Sequence, residues 1–278
     1  AVQESGLAHA GLHFLEGDKI AGALREFKQE GVLLGGGDGS FMHAAAEFMD
    51  APGKLGLLPM GTMNLLAQDL KIPVQLNEAL KAYAGGIESK AIDIALVNGK
   101  PFLCFATIGI VPEAAKLREE SREENDLVLI PRLAMFIFPK LDPSQYRRFH
   151  LRLDGKRRHL RASSLVISNN LLQDAEKVHR HAFAKKSLQN GLLGIYTLTP
   201  RSFWDKFRLL LRVKIGHLKS EPSVVERVAR QVEFYSYRGK EAVSLDGEPV
   251  DMPAPLTFSI KPKGLTLLVP KPTEETAA

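Results

Sequence analysis

Five consecutive residues, Gly36-Gly37-Asp38-Gly39-Ser40, combine a flexible loop with one carboxylate and one hydroxyl. They follow the apolar run Gly31-Val32-Leu33-Leu34 and precede an apolar-rich stretch from Phe41 to Met49, an order that reads strand, glycine loop, helix. Such a loop exposes backbone N–H groups, and the helix N-terminus behind it favours negative charge. Phosphate is the expected ligand, held by Gly36, Gly37, Gly39 and Ser40. Asp38 is out of place in a simple phosphate cradle, because a carboxylate repels phosphate unless it binds a metal or takes a proton from an attacking group. The five residues therefore point to phosphate chemistry rather than storage. Glycine also marks ordinary tight turns, and the loop alone does not separate the two readings.

A second loop follows about 20 residues on: Pro59-Met60-Gly61-Thr62, with Asn64 just beyond. Two strand-to-helix loops on adjacent parallel strands can face one nucleotide from two sides at the carboxyl edge of a sheet. Gly61 would let backbone approach closely, and Thr62 would donate its hydroxyl to a phosphate oxygen. The plainer alternative is an ordinary helix with Thr62 as its cap.

The elements that must position these loops alternate over the first 90 residues. Helical spacing runs from Lys19 to Glu30, a short strand covers Val32 to Leu34, and a helix covers Ser40 to Met49. A strand follows at Leu55 to Leu58, then helices at Asn64 to Leu70 and Leu76 to Tyr83. This alternation implies an α/β domain over 1–90 with a mostly parallel sheet. Beyond it the pattern is antiparallel β. Asn98-Gly99, flanked by strands Ala91 to Val97 and Phe102 to Ile108, and Asp154-Gly155 are hairpin turns, and Val232 to Tyr237 alternates. Leu256 to Ile260 and Leu265 to Val269 flank the turn-like Pro262-Lys263-Gly264. Residues 91–272 are expected to form this second domain, with a helical insertion at Arg201 to Leu211, and 273–278 a polar tail.

The chain has 278 residues, 45% of them hydrophobic, and a formal net charge of +5. No apolar run reaches the roughly 18 residues of a membrane span, the longest, Leu127 to Leu141, being interrupted by Pro131, Arg132 and Pro139. One cysteine, Cys104, sits in an apolar run, reads as a buried inert thiol and fits a reducing, cytoplasmic compartment. Basic residues crowd 147–161 and 206–219, as either solvated faces or contacts for an anionic surface. The stretch Phe203 to Arg212 mixes aromatic, aliphatic and basic residues. It reads as an amphipathic core helix or as a peripheral contact with an anionic leaflet.

Taken together, the ordered motifs resemble the diacylglycerol kinase catalytic family, which includes bacterial lipid kinases and sphingosine kinases. That family pairs Gly-Gly-Asp-Gly-Thr with Pro-Leu-Gly-Thr-x-Asn at about this separation. Further matches are Ile92-Asp93 with Val97-Asn98-Gly99, the segment Phe102 to Gly109, the turn Asn190-Gly191-Leu192-Leu193, and Asp246-Gly247-Glu248. The resemblance covers nearly the whole chain. It implies a small NAD-kinase-like α/β nucleotide domain followed by an antiparallel β-sandwich, with the active site in the cleft between them. It implies transfer of the γ-phosphoryl group of ATP, with Mg²⁺, to the hydroxyl of diacylglycerol or a related long-chain lipid alcohol. Asp38 and Glu248 become the catalytic residues. Gly36, Gly37, Gly39, Ser40, Gly61, Thr62 and Asn64 become the nucleotide site, and Asp93, Ser187, Asn190 and Leu192 the metal site. The implied partners are ATP, the lipid and the inner face of a membrane, without nucleic acid; a homodimer is compatible with the sequence.

The chain also departs from that family. The family's opening strand, Asn-Pro-x-Ser-Gly, has no match, so that strand reads as missing or trimmed. His13 stands for a threonine before Glu16-Gly17-Asp18, and Leu65 for an aspartate. His43 stands for a glutamate, Cys104 for an asparagine and Asn190 for a metal-binding aspartate. NAD kinase or phosphofructokinase, which share the Gly-Gly-Asp-Gly loop, and a degenerate lipid-binding module are the competing readings.

Overall fold

The computed structural model describes residues 5–8, 11–14, 19–27, 31–49, 51–121, 126–174, 183–214 and 217–272. Glu16 to Asp18, the end of the helix expected up to Glu30, and the tail from Thr273 lie outside the described residues. The chain forms two units, Ala1–Ile94 with Pro262–Ala278, and Ala95–Lys261. The sequence had assigned 262–272 to the second domain.

In the first unit, α1 (Ile20–Glu26) leads to β1 (Gly31–Gly36), α2 (Asp38–Phe48), β2 (Lys54–Pro59), α3 (Leu65–Asp69) and α4 (Leu76–Ala84). β1 and β2 run parallel, with Gly36 opposite Pro59, so both strands end level and deliver both glycine loops at the same edge. The far side of β2 pairs in parallel with β14 (Leu256–Pro270) at Leu55 opposite Leu267. Central strand β2 buries Leu55 and Leu57, and Phe41 and Phe48 of α2 and Leu66 of α3 are also fully or nearly fully buried. Tyr83 of α4 fixes the layer: its hydroxyl accepts the Leu57 N–H at 3.1 Å and lies 3.0 Å from the Leu268 carbonyl. Burial pushes this phenol up to about 12, so it stays a protonated crosslink at neutral pH.

The chain passes to the second unit within β3 (Ile87–Val97) and returns within β14. There β4 (Lys100–Phe102) pairs back on β3, and β11 (Gln231–Tyr235) lies between β14 and β6 (Arg147–Leu153), which pairs with β7 (Lys156–Ala162). A six-stranded antiparallel sheet is ordered β10 (Val224–Ala229), β9 (Leu193–Leu198), β8 (Ser164–Asn169), β5 (Phe105–Gly109), β12 (Lys240–Leu245), β13 (Glu248–Pro253). Every residue of the central strand β8 is buried. Three helices accompany these strands: α5 (Ile110–Glu120), α6 (Asp126–Lys140) and α7 (Phe203–Lys214). The fold class is therefore α/β with a mainly antiparallel β unit.

Two local expectations are corrected. Residues 256–270 form one continuous strand rather than two arms of a hairpin. Pro262-Lys263-Gly264 bends that strand locally, with Lys263 at φ +50 and its N–H donated to the Asp93 carboxylate at 2.9 Å. The strand expected from Phe102 to Ile108 is divided between two sheets, because Leu103, Cys104 and Phe105 turn their N–H groups onto Asp246. Residues 126–140 form one helix that includes both Pro131 and Pro139.

Candidate functional site

The first glycine loop is shorter than the sequence suggested. Gly36 ends β1, Gly37 is the extended N-cap, and Asp38, Gly39 and Ser40 already form the first turn of α2. The first ladder bond of that helix runs from Phe41 N–H to the Gly37 carbonyl at 3.1 Å. The N–H groups of Asp38, Gly39 and Ser40 precede it and have no acceptor within the helix, which makes this end a donor array for an anion. Ser40 is half-buried beside Gly36.

The two loops touch backbone to backbone. A Cβ on Gly61 would fall 2.6 Å from the Gly37 Cα and 2.9 Å from Asn64 Oδ1, so neither a side chain nor a solvent layer fits between them. Met60 N–H donates to the Gly36 carbonyl at 2.9 Å and closes the same seam. Glycine at these two positions is thus explained by loop-on-loop packing.

Asp38 is the second tie. Its Oδ2 accepts the Leu65 N–H at 3.1 Å and its Oδ1 the Leu66 N–H at 3.3 Å. These are orphan donors at the start of α3, so a carboxylate from one loop caps the helix that follows the other. Thr62, offered by the sequence as that cap, is exposed; the N-cap is Asn64. Asn64 is buried and left-handed at φ 48, a conformation asparagine tolerates better than most residues. Its Oδ1 accepts the Gly61 N–H at 2.9 Å and its Nδ2 donates to the Gly61 carbonyl at 2.7 Å. Asn64 therefore shapes the loop from behind, rather than presenting its amide to a ligand.

The other sequence-derived residues lie apart from this pair of loops along the chain. Asp93 is buried, with Oδ1 engaged by Lys263 N–H. Glu248 is exposed at the start of β13, opposite Leu245 across the Asp246-Gly247 turn. In the 187–192 loop, Asn190 Oδ1 accepts from Asn170 Nδ2 at 2.6 Å, the exposed Ser187 accepts the Gln189 N–H at 3.1 Å, and Leu192 is half-buried. Among the described residues, no cluster of three or more His, Cys, Asp or Glu side chains is arranged to hold a metal ion.

Residues 8–97, which contain both glycine loops and Asp93, match the family model of the diacylglycerol kinase catalytic domain. Over those residues, about a third of the chain, the sequence is similar to that family. A "Probable lipid kinase YegS-like" protein of Pseudomonas savastanoi pv. phaseolicola is 27% identical over 243 residues, covering 86% of this chain and 75% of that protein. An uncharacterized Synechocystis protein is 26% identical over 249 residues; the chain spans only 54% of its length. A crystal structure of a diacylglycerol kinase from Bacillus anthracis str. Sterne superposes with a TM-score of 0.63 at 16% identity, over 95% of this chain and 85% of that one. A second diacylglycerol kinase candidate from the same strain gives 0.70 at 18% identity, over 95% and 84%. At such identities the likeness is one of fold.

Sequence reasoning named Asp246 only as part of its turn and missed how heavily its carboxylate is engaged. Asp246 accepts N–H groups from Leu103, Cys104 and Phe105 at 2.7, 2.8 and 2.9 Å. Burial pushes it up to about 6 despite those three donors and nearby Lys185, whose Nζ donates to the Leu103 carbonyl at 2.8 Å. Its neighbour Glu248 is thereby mounted on a turn fixed at its root. The available signal was the turn itself, since Asp at the first position of an Asp-Gly turn is free to bond elsewhere.

Proposed function

We propose that this chain is an ATP-dependent lipid kinase that phosphorylates the hydroxyl of diacylglycerol or a related long-chain alcohol. The observation that carries this reading is the seam between Gly37 and Gly61, locked by Asp38 on Leu65 and Leu66. It sets two phosphate-facing loops at one sheet edge, with the open N–H groups of Gly39 and Ser40 beside them. Those groups, with the Thr62 hydroxyl, fit the phosphate chain of a nucleotide. The lipid oxygen would attack the γ-phosphorus as its bond to the bridging oxygen of ADP breaks, and Glu248 would take the hydroxyl proton. Asp38 keeps lone pairs beyond its two bonds and would orient the reacting groups.

The residues fit Mg²⁺ less well than phosphate. Asp93 and Asn190 already spend an oxygen each on Lys263 and Asn170. Mg²⁺ supplies charge neutralisation when it is bound with nucleotide; no step is assigned through Asp93, Ser187, Asn190 or Leu192.

The test is transfer of radiolabelled phosphate from ATP to diacylglycerol in mixed micelles, with NAD as the competing acceptor. Lipid-soluble label is expected. Label in NAD alone, or no binding of ATP or ADP at millimolar concentration with Mg²⁺, would overturn the reading.

A further inference from the structure

Helix α7 is inside out. It starts on a reciprocal capping box: Ser202 Oγ accepts the Asp205 N–H at 3.1 Å and Asp205 Oδ2 accepts the Ser202 N–H at 2.9 Å. The helix is thus firmly initiated and correctly oriented, yet Lys206, Arg208 and Arg212 turn toward the protein. Lys206 is buried and donates to the Phe138 carbonyl at 3.3 Å. Arg208 grips Glu221 through Nε and Nη2, each at 2.9 Å from a carboxylate oxygen, and Arg212 Nε approaches the same carboxylate at 3.3 Å. The Glu221 side chain has no exposure. Burial alone would raise its carboxyl, but the Arg208 and Ser223 hydrogen bonds outweigh that and hold it below its ordinary range. Leu209 follows the usual rule, packing into the cluster of Val166, Leu172, Tyr196 and Leu218.

The apolar side faces out. Phe203, Trp204, Phe207 and Leu211 are 60%, 70%, 53% and 47% exposed. Their rings form a chain: Phe203 to Trp204 at 5.6 Å and Trp204 to Phe207 at 6.4 Å between centroids, with Phe138 of α6 at 5.4 Å from Phe203. Met135 of α6 is 77% exposed. Contiguous patches of this kind mark contact sites rather than ordinary surface. Residues 201–221 carry six basic and two acidic side chains, a net cationic excess even though Lys206, Arg208 and Arg212 are turned inward. An element of that composition favours a surface that is oily beneath and negative above.

We infer that the outward face of α7, with Met135, inserts into the headgroup boundary of an anionic phospholipid bilayer. This gives the lipid-kinase reading a route to its substrate, and rests on that reading for its purpose but not for its geometry. No helix among the described residues is long and apolar enough to cross a membrane, so contact through this helix would be interfacial.

Trp204 is the single tryptophan of the chain and reports this face without a label. The full chain is mixed with phosphatidylcholine vesicles with and without phosphatidylglycerol, in the absence of nucleotide. Emission should move to shorter wavelength with the anionic vesicles, and brominated lipid should quench it. The double variant Phe203→Ser/Phe207→Ser, which alters exposed positions only, should lose about tenfold or more in vesicle partitioning. It should still phosphorylate detergent-dispersed diacylglycerol. Unchanged emission, equal partitioning to neutral vesicles, equal partitioning by the variant, or a stable dimer in solution with Trp204 already shielded would each overturn the inference. Absence of kinase activity in detergent with intact vesicle binding would sink the lipid-kinase reading alone.

Discussion

Asp38 caps the helix that begins at Leu65, 27 residues further along the chain, through a bond of 3.1 Å from Leu65 N–H to Oδ2. One side chain therefore couples the position of the first glycine loop to that of the second. A group with both a structural and a proposed catalytic task needs two substitutions to separate them.

Asp38→Ala removes both. It should cost about 1–2 kcal/mol in urea denaturation, the usual value of a helix cap, and abolish measurable phosphoryl transfer. Asp38→Asn keeps one accepting oxygen and should retain most of the stability while losing about 10²-fold or more in turnover. An asparagine variant with wild-type turnover would leave Asp38 as a structural clamp only.

Gly61→Ala places a methyl group 2.6 Å from the Gly37 Cα, a separation that backbone cannot relieve by rotating a side chain. The loops must part. ATP affinity, read by calorimetry, should fall at least about tenfold with a loss of about 1–3 kcal/mol in stability, as for other overpacked sites. Wild-type affinity would show that the seam is not what positions the nucleotide.

Asn64 combines a left-handed backbone with two hydrogen bonds to Gly61. Glycine at position 64 accepts the backbone conformation and loses only the bonds, whereas alanine loses both. Asn64→Ala should therefore be less stable than Asn64→Gly by about 1 kcal/mol. Paired thermal melts decide it; equal melting temperatures would mean the backbone relaxes there.

Asp246 makes a pH prediction. Its folded pKa, about 6, stands above the ordinary aspartate value of 3.8, so the folded chain holds a proton that the unfolded chain has released between those values. Its contribution to stability is fully present below about 4 and lost as pH rises through about 6. The stability margin of the wild type over Asp246→Asn should shrink across that interval by an amount on the order of 3 kcal/mol. Urea midpoints at several pH values provide the measurement. A margin that grows with pH would show that the three N–H donors, rather than burial, govern this carboxyl.

Local signals carried the sequence reading furthest. Asn98-Gly99, Asp154-Gly155 and Asp246-Gly247 all turn with positive φ at both residues, as the residue types require. The pairing partners of those side chains were not legible. Asp154 binds the N–H groups of Arg230 and Gln231, and Asn98 those of Thr257, across long stretches of chain. Pro262-Lys263-Gly264 reads as a turn for the same local reason, and is overruled by Asp93, which is 170 residues away. Both glycine loops stood out because glycine is needed for close backbone approach. The cap made by Asp38 did not, since nothing local to position 38 announces a donor at 65. The outward face of α7 was equally hidden: an amphipathic pattern gives two sides and does not say which one meets solvent.

Strand β14 makes the first unit wait. Leu267 is the neighbour of Leu55, yet it leaves the ribosome only after the whole of the second unit, Ala95–Lys261, has been made. Until then β2 has one open edge, with unpaired amide and carbonyl groups next to Gly56, an exposed template for the wrong strand. A nascent chain can write out both glycine loops early, but the sheet that steadies them closes only after the second unit has followed them.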